Sequence, residues 1–319
     1  MDHGGRRRRD SSLETVTPET LDPLVSSAAT MPLPSGTPVT RLLPHEAFFG
    51  LLFATVLVSL TVTSSPDPAD FFFFGSFLLL QFLFVLFFRQ RPTPTRRRLR
   101  LMLYPLLINV VYMRIPQVVA ALDLNLQDAT LLRIDRILVG GDLAVRLQPF
   151  VSPLRTEVLS GAYLFYILYF GVSQLLYLLD EIELATRFYI GLFTVFAVGF
   201  AGYIFVPAHG PYLAFPNLYT VPLVGGALFD FMTAVVRLGI RVDAFPSLHI
   251  AVPAFILAFD FLHKRRRFWL CLVPCVLLWF STLYLRYHYF IDLLCGFLLA
   301  TAALVLAERW RRGRRLPAI

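Results

Sequence analysis

Charge is scarce in this chain. Of its 319 residues, Asp, Glu, Lys and Arg make up 16% while apolar residues reach 57%, against about a quarter charged in a soluble globular domain. That imbalance excludes an ordinary soluble domain, because it supplies far more apolar surface than one core can bury. Lysine is rarer still, with Lys264 alone among 29 basic residues. Only three cysteines occur, Cys271, Cys275 and Cys295, all inside apolar runs. They exclude a disulfide framework and read as small hydrophobes rather than metal ligands. No internal repeat is visible, which weakens an inverted-repeat transporter reading. The basic start is not followed closely by an apolar segment and a small-residue cleavage site, so no signal peptide is expected.

What the chain does have is a series of long apolar runs, of the length that crosses a bilayer as helix. Eight spans are predicted, at roughly 46–63, 70–88, 100–122, 157–179, 187–206, 247–263, 268–285 and 287–307. The expected fold is therefore all-α, a polytopic helical membrane protein. Residues 1–41, rich in Ser, Thr and Pro, read as a disordered cytoplasmic tail. Residues 42–308 form the membrane domain, with the chemistry-bearing motifs in 207–296, and 309–319 a basic cytoplasmic tail.

A net charge of +8 suggests nucleic acid only until the arginines are located. They cluster between apolar runs, as topology signals do, and no nucleic-acid partner is expected. The amino-terminal tail carries five basic residues, the 89–100 loop six, Arg187 one, the 264–267 loop four and the carboxyl tail five, together 21 of the 29. Basic loops stay in the cytoplasm, so both termini are expected there. Segments 64–70, 123–156 and 207–246 then face the other compartment. Within the second, "DATLLRIDRIL" separates apolar from charged residues and reads as an interfacial helix. The 223–240 stretch reads as another, or as a re-entrant piece.

Two fragments on that outer face stand out, "DAFPSLH" (243–249) and "YLRYHYFID" (284–292). On one helix, His288 and Asp292 at i and i+4 share a face. The carboxylate can then fix the ring tautomer and leave the other nitrogen as a nucleophile. The bland alternative is a structural His–Asp bond that locks a helix end. His249, a turn into the sixth span, is a candidate general acid, or simply a histidine that snorkels to the interface. Ser247 and the N–H groups of that helix start are candidates for holding phosphate oxygens. Arg286, Arg237 and Arg241 are candidate phosphate ligands or ordinary loop charges. Arg114, inside a span, is a functional candidate by position alone.

In combination these residues resemble the type 2 phosphatidic acid phosphatase superfamily. That family carries P-S-G-H and S-R-x5-H-x3-D, where this chain reads "PSLH" (246–249) and "STLYLRYHYFID" (281–292). Leu248 stands where the family has glycine, and Thr282 where it has the motif arginine. The family's first motif, a Lys and an Arg-Pro, has no match, and "PAHGPYLAFP" (207–216) occupies its place. "AFPSLH" and "HYFID" look like the inositol phosphorylceramide synthases and their bacterial relatives, an inositolphosphotransferase branch. Asp243 resembles the first residue of the D-x-x-F-S-G-H motif of sphingomyelin synthases.

The resemblance implies that His288 forms a phosphohistidine, Asp292 orients it, and His249 serves as acid and then base. It also implies that Ser247, Arg286 and Tyr212, with Asp243 and Arg241 beside them, line the phosphate, and that neither metal nor cofactor is needed. The implied partners are a phospholipid donor and a lipid alcohol acceptor, or water in a phosphatase. A non-catalytic lipid-binding or transport protein is the alternative of another class. A zinc site on the histidines is disfavoured by the adjacent arginine and by the lack of H-E-x-x-H spacing. The localisation implied is an integral membrane protein, in the cell membrane if bacterial, with the site on the extracytoplasmic face.

Overall fold

The computed structural model describes residues 42–63, 67–89 and 93–312. The expected amino-terminal tail, part of the 64–70 turn and residues 313–319 lie outside the described residues. The described residues contain helices and no strand. They run as α1 (Pro44–Leu60), α2 (Pro68–Arg89), α3 (Pro94–Ala121), α4 (Asp128–Val139), α5 (Leu143–Arg146) and α6 (Pro153–Leu178). There follow α7 (Ile182–Phe205), α8 (Pro211–Ala214), α9 (Ala227–Arg237), α10 (Leu248–His263), α11 (Arg265–Tyr284) and α12 (Phe290–Arg312).

Proline opens α1, α2, α3 and α6, where its missing N–H costs nothing and its fixed φ suits the first turn. Thr93 and Ser152 complete two of these starts, their side chains accepting from the Arg96 and Arg155 amides at 3.3 and 3.4 Å. Six helices, α2, α3, α6, α7, α11 and α12, are long and apolar enough to cross a membrane. α1 and α10 are apolar but shorter, at 17 and 16 residues.

α7 is the axis of the bundle. In its apolar window 78% of residues are buried, against 17% in α2. α1, α3, α10 and α12 all pack on α7. α6 leans chiefly on α11 and α9, so α3 and α6 stand side by side on α7 and hardly touch each other. Apolar side chains such as Leu79, Leu106 and Leu168 point outward, as expected where lipid rather than water is the solvent.

α10 and α12 run parallel in close contact. Gly296 permits it, since a Cβ there would lie 2.8 Å from the Ser247 carbonyl. The two amino termini, which carry the sequence motifs, therefore sit together. At the far end Glu308 of α12 pairs with Arg187 and with His263. The buried Asp260 accepts from Tyr177 at 2.6 Å and Tyr169 at 2.8 Å and pairs with Arg267 at 3.0 Å.

α4 corrects one expectation. Its two acids were expected on a charged face turned from the apolar one. Instead Asp128 and Asp135 are buried with Leu131 and Leu132, while Ile137 and Leu138 are exposed. The reason is that both carboxylates serve as hydrogen-bond acceptors for the protein interior, as described below. The 223–240 stretch contains the amphipathic helix α9, whose amino terminus is held by Glu157 of α6 through the amides of Gly226, Leu228 and Phe229.

Candidate active site

His288 does not stand on a helix with Asp292. α11 ends at Tyr284 and α12 begins at Phe290, with Arg286 in the left-handed region at φ 69° between them. His288 lies in that turn and Asp292 in the first turn of α12. The i, i+4 spacing still brings them together, with Nδ1 3.4 Å from Asp292 Oδ2. A shorter contact, 2.9 Å, runs from Nδ1 to the carbonyl of Ala244. Both neighbours of Nδ1 are acceptors, so the ring carries its proton there and leaves Nε2 with a lone pair. Asp292 is drawn off by a second duty, because its Oδ2 also accepts the Tyr289 amide at 2.8 Å.

His249 lies in the first turn of α10, its ring centroid 5.7 Å from that of His288. It is stacked on Tyr163 at 4.6 Å and leans on Tyr166 at 4.5 Å, both from α6. Its Nδ1 has no hydrogen-bond partner. The two histidines line one cavity of about 480 Å³. Its polar rim includes His209, Tyr212, Arg241, Asp243 and Tyr287; its apolar depth runs along Ile108, Phe170, Phe196 and Phe200. Met113 on α3 and Ile167 on α6 line the cleft between these helices and are themselves 58% and 52% exposed. The cavity thus joins a polar corner to an apolar channel that opens sideways.

The remaining sequence candidates divide by their place relative to the cavity. Tyr212, Arg241 and Asp243 line the cavity. Tyr212 packs edge-on to Tyr287 at 4.9 Å, and burial holds its hydroxyl pKa above the ordinary value. Asp243 accepts from the Tyr112 hydroxyl at 2.5 Å. Ser247 and Arg286 stand behind the cavity wall. Ser247 is fully buried, with its Oγ unpartnered and its amide on the Asp292 carbonyl at 3.3 Å. Arg286 donates to the Val221 carbonyl at 2.5 Å and lies over the Tyr219 ring at 4.4 Å, leaving its Nε unpartnered. Burial pulls its guanidinium pKa below the ordinary value, against the opposing pull of Tyr219. Arg237 ends α9, exposed and not among the residues that line the cavity. Arg114 is paired with Asp70 at 2.7 Å, a structural ion pair rather than a site group.

Three residues that matter here were not singled out in the sequence. Asp135 accepts the amides of Phe290 and Ile291 at 2.7 and 2.9 Å, so it caps the start of α12 from outside. Burial raises its carboxyl pKa against the effect of those two donors. Asp128 accepts the amides of His209 and Gly210 at 3.0 and 2.9 Å and the Tyr289 hydroxyl at 2.8 Å. Gly210 is required, with φ 84° and a Cβ that would lie 2.3 Å from the Tyr287 carbonyl. The third is His209, a third cavity histidine. The signal available in the sequence was the seven-residue spacing of the two acids, one helical face, and a histidine beside a glycine in "PAHGPY". Among the described residues no group of three His, Cys, Asp or Glu side chains is arranged to hold a metal ion.

Comparison with known proteins gives the family. The sequence profile of the PAP2 superfamily matches residues 129–306, more than half of the chain, and the chain belongs to that superfamily. Membership makes it a phosphatase or phosphotransferase, and its apolar helices make it an integral membrane protein. No curated protein and no solved structure matches it.

Proposed function

We propose that this PAP2 superfamily enzyme is a phosphotransferase that moves a lipid head-group phosphate, such as inositol phosphate, to a lipid alcohol. His288 Nε2 attacks phosphorus, and the bond to the departing lipid alcohol breaks as that oxygen takes a proton from His249. The acceptor alcohol then gives its proton to His249 and attacks phosphorus, and His288 leaves as the neutral ring. Ala244 and Asp292 together hold the His288 tautomer; Arg241 meets phosphate oxygens from the cavity itself, while Ser247 and Arg286, behind its wall, reach them by turning their unpartnered Oγ and Nε inward as substrate binds.

The observation that carries this reading is the single cavity on which an Nε2-free His288 faces His249, continuous with an apolar channel suited to acyl chains. The transferase branch draws its support from the departures at Leu248 and Thr282 and from "AFPSLH" and "HYFID". The positive-inside count and the eight apolar helices support cytoplasmic termini and an extracytoplasmic site. The domain division follows, with 1–41 and 309–319 as tails about the membrane domain.

The test is to purify the protein in detergent with chelator present and offer phosphatidylinositol with ceramide or diacylglycerol, and phosphatidic acid separately. A new phospholipid that is absent with His288→Ala is the expected result. Free phosphate that depends on His288 makes the enzyme a phosphatase. Turnover that survives His288→Ala overturns the mechanism, and chelator-sensitive turnover reopens the metal reading.

A further inference from the structure

His209 belongs to the cavity, yet the chemistry above does not use it. Its ring is oriented as His288 is, by a backbone carbonyl of the same short stretch. Nδ1 lies 2.5 Å from the Arg241 carbonyl, while Ala244 three residues on takes Nδ1 of His288. The His209 backbone is pinned from the other side by Asp128, and the Ala244 amide donates to the Ala208 carbonyl at 3.2 Å. The 207–210 and 241–244 stretches are therefore laced together around two imidazoles.

Arg241 is the reason this lacing matters. Among the described residues that line the cavity it is the single arginine or lysine, and its guanidinium pairs with no carboxylate of the described residues. Its backbone is left-handed, at φ 59°, a conformation unfavourable for a non-glycine residue that persists only where neighbours enforce it. Arg286, by contrast, is already engaged with Val221 and Tyr219. We infer that His209 is a positioning residue: its Nδ1–H holds the Arg241 carbonyl in that left-handed turn and so sets the one free cavity guanidinium where it meets the anionic group of the substrate. This rests on the reading that the cavity takes a phosphorylated substrate. It adds the residue that orients the anion ligand.

Side-chain geometry supplies the test. An asparagine amide nitrogen falls near imidazole Nδ1, and a glutamine amide nitrogen near Nε2. Anion binding is measured as the concentration-dependent rise in thermal midpoint of the detergent-purified full chain with orthovanadate, which requires no turnover. Saturable stabilisation of the wild type is expected, weakened about tenfold or more in Arg241→Ala. His209→Asn should bind close to wild type, whereas His209→Gln and His209→Ala should weaken binding several-fold. His209→Ala should add nothing in an Arg241→Ala background.

Recovery in the Gln but not the Asn variant would mean that Nε2 contacts the ligand directly and would overturn the proposal. So would additive losses with Arg241→Ala, no effect of any His209 variant, or no saturable vanadate binding by the wild type. The Asn and Gln pair decides the matter even where the alanine variant is too unstable to purify. Failure of the phosphotransferase reading appears separately, as lipid turnover indifferent to His288→Ala.

Discussion

The two ends of the parallel pair α10 and α12 hold similar side chains and treat them in opposite ways. At the far end Asp260 has two tyrosines and Arg267, and Glu308 has Arg187 and His263. Of these groups only Arg187 has a buried atom, Nε, without a partner. At the motif end Ser247 Oγ, His249 Nδ1, Asp292 Oδ1 and Arg286 Nε are all buried and unpartnered. Each such group costs about 1–3 kcal/mol if left unmet. A fold held together at one end tolerates that cost at the other, where the proposed site lies. The lesson is that a buried histidine–carboxylate pair is informative only through what its remaining atoms do.

The sharpest way to break this comparison is His249→Ala. Loss of the acid–base group should lower kcat about 10²–10⁴-fold with the protein still folded, measured as turnover per monodisperse molecule. A near-normal rate would demote His249 to packing between Tyr163 and Tyr166. At the far end Arg267→Ala leaves the buried Asp260 carboxylate without its cation. It should lower unfolding stability by about 3 kcal/mol, seen in thermal or denaturant unfolding in detergent, while turnover of the folded fraction stays unchanged. A large fall in kcat there would erase the distinction between the ends.

Ser247→Ala sharpens the contrast. Its hydroxyl makes no hydrogen bond within the protein, so the thermal midpoint should hold or rise while turnover falls about tenfold through a lost phosphate contact. A fall in stability with unchanged turnover would make it a structural residue. The smallest expected effect is that of Asp135→Ala, which uncaps α12 from outside and should cost about 1–2 kcal/mol. It should also lower kcat by a factor of a few, since His288 and Asp292 flank the amides that Asp135 holds. Unaltered stability would show that the α12 start is held by Asp292 alone.

Much of this was legible before any fold was known. The apolar runs marked α2, α3, α6, α7, α11 and α12, and the Pro and Arg punctuation marked their ends, because a membrane helix must satisfy its own backbone and stop where charge begins. His249, His288 and Asp292 could be named from "PSLH" and "HYFID". What spacing alone misassigned was their surroundings. The i, i+4 rule put His288 on a helix, yet the left-handed Arg286 ends α11 and leaves it in a turn. The amphipathic pattern of α4 was visible, but which face is buried depends on donors that other segments bring.

Composition, hydropathy and local motifs by themselves determined that this is a helical membrane protein and that its histidine–aspartate motif resembles that of the PAP2 superfamily. Those are properties of single segments and of the lipid solvent around them. Only the tertiary structure decided that a carbonyl at Ala244 shares the orienting of His288 with Asp292. It alone decided that Asp128 and Asp135 brace the site from α4, that Arg114 is consumed by Asp70, and that His209 enters the cavity beside Arg241. Each of those contacts joins residues far apart in the chain, and a hydrogen bond depends on positions in space that no local pattern encodes.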